Sequence, residues 1–296
     1  MRKATDLRIP GPTPLPPQVK AALQRDMIPH RSAEFRQVFT ELREQVGRVH
    51  GTDGEVLIFP GSGSAGWEAA IVNTLSPGDR VIAFIAGDFG TRFAGVAERF
   101  GLAVERVRVE AGRAVTAEVV APALAAWPDA KAVLYTHNET STGVTNPLRE
   151  VGPLVREHGA LLLVDGVSSV AGIPLEMDAW GVDLVLSGSQ KAWMCPPGLL
   201  IVAAGPRVWD ATPRAALPRD FGAAREAAAR GDTPTTAPLS LLFALKAACD
   251  MLDEEGMEHV YRRHHELAER VRDGLEALGY RLLAERAYAS DTVTAA

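Results

Sequence analysis

Short β-branched and aliphatic runs recur along the chain at residues 56–59, 81–85, 104–109, 132–135, 161–164, 183–186 and 199–203. Runs this short, bounded by turn residues, read as strands buried in a sheet. Most are separated by stretches long enough for a helix, at 64–75, 91–100, 117–127 and 148–158. This alternation predicts an α/β fold with a mainly parallel seven-stranded sheet covered by helices. Five prolines in residues 8–18 predict an extended arm, and 19–50 has a helical, polar-faced pattern. After Gly231 the pattern turns to long helices over 239–255 and 257–278, with Gly256 as a C-cap between them, and then a short strand over 280–283. The expected organisation is an arm over 1–18, a large domain over 19–238 and the start of a small α+β domain over 239–296.

Composition narrows the classes. Hydrophobic residues at 47% and charged residues at 23% of 296 positions predict an ordinary globular core. The net charge of −6, with no basic cluster, argues against a nucleic-acid surface. No apolar segment is long enough to cross a membrane and no apolar run follows the basic Arg2 and Lys3, so the protein is expected to be neither exported nor embedded. Two cysteines, Cys195 and Cys249, are too few for a disulfide framework and fit a reducing cytoplasm.

The candidate chemistry lies at two predicted strand ends. The run Leu161-Leu162-Leu163-Val164 ends in Asp165, and the strand over 183–186 leads into Ser187-Gly188-Ser189-Gln190-Lys191. Open α/β sheets bind ligands at the carboxyl ends of their strands. For an isolated pair, a helix-capping Asp and a solvated Lys are the plainer readings. Small polar residues around the lysine, and Cys195-Pro196-Pro197-Gly198 closing the turn, favour an enclosed amine. An amine and an anion are the two groups that pyridoxal phosphate requires, one to hold its aldehyde as an imine and one to keep its ring nitrogen protonated. The glycine turn Gly61-Ser62-Gly63-Ser64 precedes a predicted helix and offers free N–H groups to a phosphate, though a strand-to-helix turn also accounts for it.

Six stretches carry a resemblance in order: Pro10-Gly11-Pro12-Thr13-Pro14, Gly61 to Gly66, Gly87 to Arg92, Thr136 to Val144, the Asp165 strand, and Ser187 to Gly198. Together they resemble the class V pyridoxal-phosphate aminotransferases of the alanine–glyoxylate and serine–glyoxylate group. The resemblance implies fold type I and transamination of a small amino acid, serine or alanine, with glyoxylate or pyruvate, through an imine on Lys191. It implies Asp165 as the ring-nitrogen anion and Ser62, Gly63, Ser64 and Gln190 as phosphate ligands. Phe89 and Val167 fall on the two ring faces, and Thr140 at the phenolic oxygen. Thr236, with Thr235 as substitute, would reach in from the partner subunit of a homodimer. No metal is implied.

Two other readings stay open. A cysteine desulfurase or lyase would place histidines where Gln190 and Phe89 stand. A catalytically impaired binding protein is the other, because the family's substrate-carboxylate arginine falls beyond the sequence, which is expected to be shortened at its C-terminus. The adjacent His264 and His265 point apart on a helix and are expected to be a solvated face. Cys195 is expected to pack as a small buried thiol, and His30-Arg31 is as readily structural as substrate-binding.

Overall fold

The structure, a computed structural model, describes residues 7–211 and 219–296, so the first six residues of the expected arm lie outside it. Its strands and helices in chain order are α1 (Pro17–Ala22), α2 (Ala33–His50), β1 (Glu55–Gly61), α3 (Gly63–Thr74), β2 (Arg80–Ile85), α4 (Asp88–Arg99), β3 (Ala103–Arg108), α5 (Ala117–Ala126), β4 (Ala132–Thr136), β5 (Asn138–Glu139) and β6 (Val144–Thr145). They continue as α6 (Leu148–His158), β7 (Leu161–Asp165), β8 (Leu184–Gly188), β9 (Gly198–Ala204), α7 (Phe221–Ala228), α8 (Leu239–Glu255) and α9 (Met257–Ala277).

Seven strands form one sheet in the order β1-β9-β8-β7-β4-β2-β3, and β5 and β6 make a separate small ladder. Pairing is parallel from β8 through β7, β4 and β2 to β3, and antiparallel where β9 meets β8 and β1. Only β9 therefore runs against the rest. Successive residues face opposite layers: Leu162 and Val164 belong to one core and Leu163 to the other. Both faces are dry, which is why these strands read as continuous apolar runs rather than as alternating ones. Helices α2, α5, α6 and α8 cover one face; α3, α4 and α7 cover the other. Helix α8 shares the core of the sheet through Leu242, Phe243 and Leu245.

Two expectations are corrected. The helical pattern over 19–50 is interrupted at 23–32, where Pro29 removes a backbone donor and Ser32 starts α2 afresh, its Oγ accepting from Phe35 N at 3.1 Å. Residues 280–283 form no strand. A strand needs a partner ladder, and here Tyr280 N bonds back to Leu275 O and Leu283 N to Ala295 O, with Tyr280 57% and Leu283 44% exposed. Gly256 does close α8, with φ of 80°.

Candidate active site

Parallel order brings the carboxyl ends of β1, β2, β4, β7 and β8 to one edge of the sheet. Asp165 ends β7 and stands opposite Leu186 of β8. Beyond Gly188 the chain turns and re-enters as β9, and Gly198 pairs with Gly61 at the end of β1. The lysine turn and the glycine turn are thus neighbours across β9. Helix α4 starts from the end of β2, and the β5–β6 ladder follows β4 on the same edge.

Asp165 is 3% exposed. Its Oδ1 accepts from Val167 N at 2.9 Å and its Oδ2 from Trp67 Nε1 at 2.8 Å. Burial pushes the carboxyl pKa up to about 6, against the lowering effects of the Val167 and Trp67 donors and of the Lys191 charge, with Glu139 adding to the rise. Lys191 is half-buried, and its amine donates to the carbonyl of Pro10 at 2.8 Å. Burial lowers its pKa from the usual lysine value, and the charge of Asp165 opposes that. Each group feels the other: amine and acid share one electrostatic environment.

The lysine turn is pinned from both sides. Thr13 N donates to Gln190 O at 3.1 Å and Thr13 Oγ1 to Lys191 O at 3.0 Å. Ser189 Oγ donates to Pro196 O at 2.6 Å and accepts from Leu199 N. Trp193 is fully buried and its indole donates to Ser187 Oγ at 3.2 Å. Cys195 is buried too, its thiol pKa pushed up to about 12 by desolvation, and it packs rather than reacts.

The other expected residues lie as follows. Ser62 caps α3, its Oγ accepting weakly from Ala65 N at 3.4 Å, and Ser64 is exposed in the first turn. Gly63 packs so close to Val167 that a Cβ there would lie 2.5 Å from Val167 Cγ2. The helix start therefore touches the loop that follows Asp165. Phe89 sits in the first turn of α4, edge-on to Trp67 at 6.4 Å. Thr140 Oγ1 donates to Ser168 Oγ at 2.9 Å, and Ser168 in turn donates to Asn138 O. Gln190 has a buried side-chain oxygen without a partner. Thr235 and Thr236 are exposed, and no contact among the described residues ties them to the lysine turn.

These residues fit pyridoxal phosphate. The acid is buried and supported by two donors, and the amine stands within its electrostatic reach.

Three participants escaped the sequence reading. Trp67 reads as core, and only the fold turns its N–H to Asp165. Glu139, fully buried, accepts from Phe89 N, Gly90 N, Ser141 N and Ser141 Oγ, at 3.3, 3.0, 3.2 and 2.6 Å. The Pro10 carbonyl leaves no trace in residue type. Elsewhere, Arg31 pairs with Asp232 at 2.7 Å, and His264 and His265 diverge to Val260 O and Asp291.

The chain belongs to the class V aminotransferases, pyridoxal-phosphate enzymes whose family profile matches residues 10–295. It is 40% identical to the soluble hydrogenase small subunit of Synechococcus sp. (strain PCC 6716), covering 100% of this chain and 78% of that protein. It is equally 40% identical to the L-aspartate–glyoxylate aminotransferase of Paracoccus denitrificans (strain Pd 1222), covering 100% and 77%. The crystal structure of alanine–glyoxylate aminotransferase from Nostoc sp. superposes with a TM-score of 0.91 at 31% identity, covering 98% of this chain and 80% of that one. The sheet is thus that of the fold type I aminotransferases.

Proposed function

We propose that the site at Lys191 and Asp165 binds pyridoxal phosphate and moves the α-amino group of a small amino acid, serine or alanine, to glyoxylate or pyruvate. The observation that carries this reading is the convergence of one half-buried amine and one buried carboxylate at adjacent strand ends. In it, Ser62, Gly63, Ser64 and Gln190 hold the phosphate, while Phe89 and Val167 flank the ring. Thr140 turns its hydroxyl to the phenolic oxygen, and Thr236 comes from the partner of a homodimer. Glyoxylate also appears in the names of the Paracoccus and Nostoc proteins, which supports it as acceptor.

When bound, the cofactor supplies an electrophilic carbon for amines and a ring that accepts an electron pair. The chain does the rest. Lys191 Nζ, its proton affinity reduced by burial, would take the substrate's α-proton and deliver it to the carbon of the cofactor's former aldehyde, and would run the transfer in reverse for the acceptor oxo acid. Asp165 would accept from the ring N–H and would keep the proton on that nitrogen, an anion placed where positive charge must persist. The Pro10 carbonyl aims the Lys191 amine between turns. In a reducing cytoplasm the two buried thiols stay free.

The experiment is borohydride reduction of the protein with pyridoxal phosphate, followed by peptide mass mapping and by an assay for glycine from glyoxylate, and for alanine from pyruvate, with serine, alanine or aspartate as donor. A reduced adduct on Lys191 and donor-dependent glycine are expected. An adduct on another lysine, or neither glycine from glyoxylate nor alanine from pyruvate with any donor, overturns the reading.

A further inference from the structure

Trp67 is buried at 3% exposure, and its one polar atom is spent on Asp165 Oδ2 at 2.8 Å. Val167 N holds the other oxygen at 2.9 Å. The two donors fix the plane of the carboxylate and leave each oxygen a free lone pair. Trp67 also stacks on Phe93 at 5.9 Å and 18°, and meets Phe89 edge-on. The Arg92 guanidinium lies over both rings, 5.7 Å from Trp67 and 5.5 Å from Phe89. One indole thereby joins the acid at the ring nitrogen to the aromatic residue proposed for the ring face.

Its position on the helix matters as much. Trp67 lies one turn into α3, whose first residues are the proposed phosphate cradle. A single rigid element therefore sets both the anchoring of the phosphate and the orientation of the acid.

We propose that Trp67 is the positioning residue for Asp165, holding the carboxylate ionised and aimed so that the cofactor's ring nitrogen stays protonated. This rests on the reading of the site given above. A hydrogen bond to a charged group, in a site closed to water, favours the ionised acid by about tenfold or more. The burial that raises the pKa of Asp165 makes such support necessary.

Trp67→Phe keeps an aromatic ring in the stack and removes the N–H; Phe93→Leu loosens the same stack without touching Asp165. The probe is pyridoxal phosphate labelled with nitrogen-15 in the ring. In the wild type and in Phe93→Leu the ring nitrogen is expected to resonate as a pyridinium near neutral pH. In Trp67→Phe it is expected to move toward the neutral pyridine, while the cofactor remains attached to Lys191 by mass and amino-donor conversion slows by about tenfold or more. An unchanged ring-nitrogen signal and conversion rate in Trp67→Phe overturns the proposal. Should that variant not fold, the cofactor-free wild type decides. One indole N–H resonance is expected to move with pH as Asp165 titrates and to stop moving in Asp165→Asn, and five static indole signals refute the contact. A wild type with no cofactor on Lys191 defeats the site reading instead, a separate result.

Discussion

The amine of Lys191 donates to the carbonyl of Pro10 at 2.8 Å, across a sequence separation of 181 residues. The arm thus takes part in the site instead of merely flanking it. Gly11 allows this, because a Cβ there would lie 2.8 Å from Lys191 Cδ and 2.9 Å from its Nζ, at a φ of 152° that side chains rarely adopt.

Gly11→Ala is therefore expected to displace the end of the Lys191 side chain, a flexible group that yields more easily than backbone does. Attachment of pyridoxal phosphate, followed by absorbance and borohydride trapping, should slow by at least about tenfold, a barrier change of about 1.4 kcal/mol. Backbone strain should lower stability by about 1–3 kcal/mol. Normal attachment kinetics would remove the arm from the site.

Gly63→Ala tests the contact between the phosphate cradle and the Asp165 loop. The added methyl meets Val167 Cγ2 at 2.5 Å, so α3 and the loop must part. Cofactor affinity, measured by equilibrium dialysis, should fall by about tenfold or more. Equal affinity would mean that the cradle lies elsewhere.

Glu139 accepts three backbone N–H groups and one hydroxyl, and so fixes the start of α4 and with it Phe89. Glu139→Gln must turn an amide N–H₂ toward some of these donors. Denaturant unfolding should show a loss of about 2–4 kcal/mol, with weaker cofactor binding beside it. A variant as stable as the wild type would contradict this account.

Acid should destabilise the fold through two buried imidazoles. Burial depresses His50 and His137 to about 4 from 6.5, so the unfolded chain takes up protons first as pH falls. Their contribution is fully present above pH 6.5 and is lost toward pH 4, roughly 3 kcal/mol each. Asp165, raised from 3.8 to about 6, acts in the opposite sense: its contribution is present below pH 3.8 and is lost as pH rises through 6. Two histidines outweigh one acid, so melting temperature should fall between pH 6.5 and 4. His50→Phe should flatten that limb; an unaltered profile would show that His50 does not titrate on unfolding.

Much of the fold was legible because its strands are buried on both faces. Leu161 to Val164 needs no partner to read as a strand, and the helical gaps on either side dictate parallel order. That Lys191 and Asp165 lie near one another was legible, because Asp165 ends one such strand and Lys191 follows closely on the end of the next. The contacts of Trp67 and Glu139 were not: each looks like ordinary helix core or turn, and these contacts form only where α3, α4 and the β5–β6 ladder meet the sheet edge. The absent strand at 280–283 was misread because local pattern says nothing of which partners are at hand, whereas the break at 23–32 carried a local signal in Pro29 and Ser32 that the polar-faced helical pattern masked.

The tail adds a last consequence. Thr292 Oγ1 donates to Ser168 O at 2.8 Å and accepts from Asn138 Nδ2 at 3.2 Å, while Ser290 N reaches Gly143 O. The loop that positions Thr140 is therefore laced to the far end of the sequence. Anyone reshaping this protein by recombination or circular permutation should treat residues 138–143, 168 and 290–292 as one cassette, to be exchanged together or left intact.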